Sequence, residues 1–288
     1  MKTIYITLSG GLGNQLYQIA FGYMLMHNLS RRVFFDKSKF LKYKDHKLVV
    51  DKIFPDLKFV ELNRSLFLNR IFESGIWFDE FLVQKIKNKS RFNNLIVNGY
   101  FQSLSYFSFY LPVLRSLLLE RIEKLYPELK NKGFKNRLKN YLGIHIRRGD
   151  KTNNLNSRIY GLRSIEENLI NINYIYSKGK YSSIILFGDD LNYLYDLKTK
   201  IKIKTNVYIS NDIVSTNCEL LDFYLLTVVK YLMITNSTFS LWAGYLREKG
   251  NVFYPKPFYP YPLHKSVLNH NLEDLIFPSW LSYKVIFK

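Results

Sequence analysis

A chain of 288 residues with 47% hydrophobic and 17% aromatic side chains has ample apolar material for a core, which excludes intrinsic disorder, and its length predicts two domains. The formal charge of +19 predicts anionic partners, whether nucleotide phosphates, lipid head groups or nucleic acid, without choosing among them, and much of it fits solvated surface lysines. Cys218 is the sole cysteine, so no intramolecular disulfide can form and a reducing compartment is expected.

The opening MKTIYITLSGG carries one Lys and an apolar run that meets glycines and Asn14 too soon for a secretory signal. It reads instead as a buried strand, Lys2 to Ser9, followed by a turn at Gly10, Gly11 and Gly13. Asn14 then suits an N-cap, and Leu16, Ile19, Ala20, Tyr23, Met24 and His27 recur at helical spacing. Val33 to Phe35, ending at Asp36, add a second strand, so the chain starts as a β-turn-α-β unit of a parallel sheet. From residue 40 to 97 only a strand at Leu95 to Val97 is legible, and helical periodicity follows from Tyr106 to Leu125.

Between Pro127 and Asn140 the chain turns polar and basic, with Lys130, Lys132, Lys135, Arg137 and Lys139 around Gly133. This stretch marks the expected boundary between domains 1–135 and 136–288. Beyond it strands and helices alternate: strand Tyr141 to Ile146, helix Ser164 to Tyr176, strand Ser183 to Phe187, helix Asn192 to Lys200 and strand Val207 to Ser210. Helix Cys218 to Lys230, strand Leu232 to Thr235, helix Thr238 to Lys249 and strand Asn251 to Tyr254 complete a doubly wound parallel sheet, whose ligands bind beyond the carboxyl ends of the strands. The most apolar stretch, Leu220 to Thr235, is broken by Asp222 and Lys230, so no membrane-spanning helix is expected. A cytoplasmic protein is the expectation, with peripheral contact to the anionic inner face of the cytoplasmic membrane compatible with its charge.

Four motifs carry candidate chemistry. In GGLGNQL the glycines, Gly11 and Gly13 among them, let backbone approach a ligand at a helix N-terminus, or simply form a tight turn; Leu16 spoils the dinucleotide fingerprint, and no Walker lysine follows. Asn14 and Gln15 add uncharged amides suited to sugar hydroxyls or phosphate. In IHIRRGDK, strand alternation places His145 and Arg147 on one face, where a guanidinium fork matches phosphate oxygens, while Arg148 is paired with Asp150 at the strand end in the alternative structural reading. In LFGDDLNY, Asp189 and Asp190 follow a parallel strand and are read as a helix cap, a nucleotide contact or, least favoured, a metal site. In ITNSTFSLWAGYL, Asn236, Ser237 and Thr238 open a helix, either as an anion site or as an ordinary cap.

In this order the four motifs, with GYFQSLSYF (Gly99 to Phe107), resemble the α-1,2-fucosyltransferases of glycosyltransferase family 11, bacterial type. The likeness runs from about residue 4 to residue 258, with residues 40 to 90 too variable to compare. Tyr17 stands for a usual Phe, Gly188 for a usual Ser, and Leu241-Trp242-Ala243-Gly244 for a usual Trp-Trp-Gly-Ala, which read as packing changes. The resemblance implies a GT-B arrangement, two Rossmann-like halves facing across a cleft, with GDP-fucose in the second. It further implies that His145 contacts guanine, Arg147 the β-phosphate with Arg148 beside it, Asp189 or Asp190 guanine or ribose, and Asn236, Ser237 and Thr238 the diphosphate. Gly11 and Gly13 would approach the donor, and Asn14 would reach fucose or the β-phosphate from the other half.

Breaking the bond between fucose and GDP builds negative charge on the β-phosphate, so a prepositioned Arg147 stabilises the transition state in place of a metal. No cofactor or metal is expected, with GDP-fucose as donor substrate. The resemblance implies inversion, which asks for a base at the incoming hydroxyl; Asp36, Asp79 and Asp150 are the weak candidates. It also implies an acceptor glycan ending in β-galactose, and the setting suggests a lipid-linked bacterial surface oligosaccharide. The alternatives are transfer to another linkage, a nucleotide-sugar-binding protein without turnover, and a nucleic-acid-binding protein. The last is disfavoured because basic residues are spread along the chain and no nucleic-acid motif is present.

Overall fold

The computed structural model describes residues 3–285 except 30, 44–45, 64–68, 74–78, 90–93, 150–160, 215–217, 248 and 260–273. Two compact units divide the chain, one of residues 1–121 with 270–276 and one of residues 122–269 with 277–288. The division falls inside a helix rather than in the basic stretch 127–140. On either side of the division the polar partners differ: Arg121 pairs with Asp56 and donates to the Ile53 carbonyl, whereas Glu123 receives Lys135 and the Tyr224 hydroxyl. A shift in composition marks solvated chain, not the point at which packing partners change.

The first unit begins with β1 (Thr3–Thr7), α1 (Leu12–Leu29) and β2 (Arg32–Asp36). Short helices α2 (Ser38–Lys42) and α3 (Val50–Ile53) lead to β3 (Phe59–Val60), β4 (Arg70–Phe72), α4 (Glu80–Lys89) and β5 (Leu95–Asn98). Two 3-10 turns then precede α5 (Leu111–Leu125), with Pro112 in its first turn, where a missing N–H costs nothing. The five strands are all parallel, in the order β3-β2-β1-β5-β4. The order reverses beside β1, which makes the gap between the ends of β1 and β5 the switch point where a doubly wound sheet takes its ligand. Helix α1 is buried from Leu12 to Leu25 over most of its surface, and Phe21 on it stacks on Phe101 beyond β5 at 3.9 Å between centroids.

The second unit opens with α6 (Lys132–Leu138), capped by Asn131, and β6 (Tyr141–Ile146). There follow α7 (Ile165–Tyr176), β7 (Ser183–Gly188), α8 (Leu191–Lys200), β8 (Asn206–Ile209), α9 (Ser210–Ile213) and α10 (Glu219–Val228). Then come β9 (Tyr231–Met233), α11 (Thr238–Tyr245), β10 (Asn251–Lys256) and β11 (Leu281–Lys284). Ser164 caps α7 in a reciprocal capping box with Glu167. All six strands are parallel, in the order β11-β10-β9-β6-β7-β8, so the switch point lies between β6 and β9. The α/β class and the two parallel, Rossmann-like units agree with the sequence reading. Helices α2 to α4, α6 and α9 and strands β3, β4 and β11 were not anticipated there. Among the described residues no helix is long and apolar enough to cross a membrane.

Candidate functional site

In the first unit both chain segments that leave the switch point carry motif residues. Gly10 turns the chain at φ +79°, and the helix starts at Leu12, so Asn14 lies in the first turn of α1 and is not its cap, in contrast to the sequence expectation. Gly10 must lack a side chain there, because a Cβ would sit 2.6 Å from the Asn14 amide nitrogen. Gly11 lies beside His46, and Gly13 is buried within the helix. Gln15 is not a ligand group: fully buried, it donates to the Gly10 and Lys47 carbonyls at 2.8 Å each and accepts from the Val49 and Val50 amides.

The GYFQ segment follows β5, and Gln102 donates its amide to the Asn14 Oδ1 at 2.9 Å. Phe101 holds φ +55°, an uncommon conformation for a side chain of that size. Two polar side chains hold the turn. Gln18 donates to the Gly99 carbonyl at 2.9 Å, and the Glu73 carboxylate accepts from the amides of Tyr100 and Phe101 at 2.9 Å each. Burial pushes the Glu73 carboxyl up to about 7 against the pull of those two N–H groups, with the Asp79 charge adding to the rise. Glu73, Gln18 and Gln102 were missed in the sequence. Of the carboxylates considered as bases, Asp36 is fully buried and accepts from the Ser38 and Leu62 amides, and Asp79 caps α4 by accepting from Leu82 N. Asp150 and Lys151 lie outside the described residues.

In the second unit three motifs meet at the strand ends around the switch point. Ile146 opposite Gly188 is the last paired residue of β6, so Arg147 and Arg148 project from the loop beyond it, and His145 is inside. Strand β6 is buried on both sides, with His145 inside it and Arg147 directly after its last paired residue. His145, 4% exposed, places Nδ1 3.2 Å from the Thr235 hydroxyl and its ring against Phe239.

Arg147 Nη1 lies 2.6 Å from Asp189 Oδ2, and Asp189 Oδ1 accepts from the backbone amides of Arg148 and Gly149 at 2.8 and 3.0 Å. Burial opposes the Asp189 charge, but Arg147 and the two N–H groups outweigh it and hold the carboxyl below its usual range. Asp190 caps α8 through Tyr193 N and takes Arg148 Nε at 3.3 Å. Arg148 also covers the Tyr193 ring at 3.9 Å and donates to the Arg163 carbonyl, so among the described residues its partners are internal and its carboxylate is Asp190. Asn236 is buried, and Ser237 precedes α11 without capping it, its amide turned to the Thr235 carbonyl. A narrow pocket is lined by Arg147, Arg148, Arg163, Asn168, Thr235 and Asn236, among others. The candidates therefore gather in two sets: Gly11, Gly13 and Asn14 in the first unit, and the arginine, aspartate and Asn236–Thr238 groups in the second.

A family model for glycosyl transferase family 11 matches residues 2–260, nearly the whole of this chain. The chain belongs to glycosyl transferase family 11. Within reach of that family, it is 27% identical to an alpha-1,2-colitosyltransferase of Escherichia coli over 90% of this chain and 93% of the relative. It is 24% identical to the Escherichia coli O-antigen biosynthesis glycosyltransferase WbnK, over 97% of this chain and 100% of the relative. Among solved structures it is similar to fucosyltransferase NodZ from Bradyrhizobium, with a TM-score of 0.48 and 14% identity over 85% of this chain and 93% of that one. Arabidopsis thaliana FUT1 in complex with GDP gives a TM-score of 0.48 and 14% identity, over 90% of this chain and 73% of the other.

As a family 11 glycosyltransferase, the protein must bind an activated sugar and stabilise its leaving group. The second unit has the parts for an anionic leaving group: a fixed guanidinium at a switch point, backed by a carboxylate that is itself saturated by protein donors.

Proposed function

We propose that this family 11 enzyme transfers L-fucose from GDP-β-L-fucose, with inversion and without a metal, to O2 of a terminal β-galactoside in a bacterial surface polysaccharide. The observation that carries this reading is the Arg147–Asp189 pair at the end of β6, beside the switch point. A guanidinium oriented before substrate arrives meets the charge that develops on the β-phosphate without reorganising, the condition under which electrostatic stabilisation is largest. In this reading Arg147 takes the β-phosphate and Arg148 braces it through Asp190. Asp189 and Asp190 shape the nucleotide side, and Asn236, Ser237 and Thr238 complete the diphosphate subsite. His145 lies behind them, buried against Thr235. Asn14, oriented by Gln102, contacts fucose or the β-phosphate, with Gly11 and Gly13 giving close backbone approach.

The α-1,2 linkage and the polysaccharide acceptor draw support from the named activities of the two Escherichia coli relatives. The acceptor is then a lipid-linked oligosaccharide met at the inner face of the cytoplasmic membrane, to which the net charge of +19 is suited. The colitosyl activity of one relative favours a second reading, in which the donor sugar is colitose while nucleotide and linkage stay the same.

Calorimetry in EDTA tests the donor claim: GDP and GDP-fucose bind with similar affinity, and UDP-sugars do not compete. Binding that requires magnesium or manganese would refute metal independence. Incubation of GDP-fucose or GDP-colitose with terminal galactosides, followed by linkage analysis of the product, tests the rest. Fucose on a hydroxyl other than O2 of galactose removes the acceptor claim and leaves the donor claim standing.

A further inference from the structure

Arg163 belongs to none of the motifs. It lies just before the Ser164 cap of α7 and is 8% exposed, yet it forms part of the wall of the pocket that Arg147, Arg148 and Asn236 also line. Its Nη1 donates to the Tyr283 hydroxyl at 2.7 Å, and that hydroxyl donates to the Ile234 carbonyl at 2.8 Å. This chain of bonds fixes the guanidinium under the end of β9, one residue before the Thr235 and Asn236 that line the pocket. Its Nη2 is buried, with no hydrogen-bond partner among the described residues.

The partners of Arg163 among the described residues are neutral: the Tyr283 hydroxyl and, 5.5 Å away, the Tyr283 ring. Arginine is ionised at any working pH, and a buried cation without a counter-charge is strongly disfavoured unless something compensates it. Among the described residues the carboxylates at this end of the sheet are already engaged. Asp189 is committed to Arg147 and to two backbone amides, and Asp190 to Arg148 and Tyr193 N. Among the described residues, three guanidinium groups line one pocket and two carboxylates pair with them, an excess that an oxyanion would neutralise.

We propose that Arg163 is a further diphosphate-binding residue, whose Nη2 takes an oxygen of the donor's phosphates. The inference rests on the nucleoside diphosphate reading above. It differs from that reading in making the subsite a three-arginine cluster whose innermost member is held by Tyr283 rather than by an acid. The Tyr283 hydroxyl orients the fork without consuming its charge, which leaves the charge for the ligand.

The test is calorimetry of the full chain and of its Arg163→Gln and Arg163→Lys variants with GDP, UDP, inorganic pyrophosphate and guanosine. Arg163→Gln should weaken GDP and pyrophosphate by the same factor, at least tenfold, with guanosine unchanged. Arg163→Lys, which keeps the charge and stem but loses the fork, should fall between the wild type and Arg163→Gln. Unchanged GDP affinity in a folded Arg163→Gln protein overturns the proposal, and so does an equal loss for guanosine, which would mark general damage to the pocket. If Arg163→Gln does not fold, wild-type affinity for pyrophosphate in Arg163→Lys overturns it instead. A wild type that binds UDP as tightly as GDP sinks the guanine reading, while the pyrophosphate arm still decides the role of Arg163. A wild type that binds no diphosphate overturns both.

Discussion

Arg147 and Asp189 are joined at 2.6 Å, and the same carboxylate gathers the amides of Arg148 and Gly149. One acid therefore shapes the whole loop beyond β6, and Gly149 must be glycine for it to do so, because a Cβ would lie 2.5 Å from Asp189 Oδ2. Asp189→Asn retains an acceptor for the amides but sets an NH2 group against the guanidinium. Activity should fall about tenfold to a hundredfold through misplacement of Arg147. If orientation is the role, Asp189→Asn and Arg147→Lys share one effect, and the double variant should be little worse than Arg147→Lys alone. Contacting residues of this kind show coupling of about 0.5–3 kcal/mol. Fully additive losses in kcat/KM would separate the two residues.

Arg147→Lys itself keeps a charge but loses the planar fork. The kcat should drop at least about a hundredfold, the size seen when one preorganised donor is removed from a developing oxyanion. Thermal unfolding should shift little, since Arg147 stands beyond the last paired residue of β6. Near-normal turnover, measured as GDP release, would place the leaving-group role elsewhere.

Much of the second unit was legible because its strands are largely apolar runs that end in charged motifs: β6, Tyr141–Ile146, stops before Arg147, and β7 stops before Asp189. Ser164 likewise announces α7 three residues before Glu167. The first unit hid more. Strands β3 and β4 have two and three residues, too few for any period to show. Gln15 and Gln18 look like polar positions on a helix, yet they bond the backbone at Lys47, Val49 and Gly99, distant contacts that no local pattern encodes. The site followed the same rule. The arginine and aspartate motifs were visible as residue types, while Glu73, Gln102 and Arg163 matter through what the topology brings to them.

Gly188, where the resembled family usually has Ser, tests how tightly the two strand ends are set. A Cβ at this position would lie 2.5 Å from the Ile146 carbonyl oxygen, which is backbone and cannot swing aside. Gly188→Ala should cost about 1–3 kcal/mol in urea unfolding, the range for overpacking a close-packed site. GDP binding should weaken with it, because Arg147 and Asp189 follow directly from the two strands that must part. Wild-type stability and affinity together would show that the ends separate freely.

The Glu73 carboxyl, pushed up to about 7 from 4.5 chiefly by burial, gives the first unit a pH dependence of opposite sign to that of a paired carboxylate. Between those two values the folded chain holds a proton that the unfolded chain has released, so stability falls as pH rises through the window and is flat above it. A rise from 4.5 to about 7 corresponds to at most about 3 kcal/mol. Asp79 and the Tyr106 hydroxyl share the site, and the Asp79 charge acts in the same direction. Glu73→Gln keeps an oxygen for the Tyr100 and Phe101 amides and removes the titration. Urea unfolding at pH 5 and pH 8 should therefore show the Gln variant gaining on the wild type at the higher pH, by up to that amount. Turnover should be less affected than stability, because the turn at Phe101 still presents Gln102 to Asn14. Parallel stabilities at the two pH values would mean that the carboxyl titrates normally, and a collapse of activity in Glu73→Gln would mean that its charge, not its hydrogen bonds, holds the GYFQ turn.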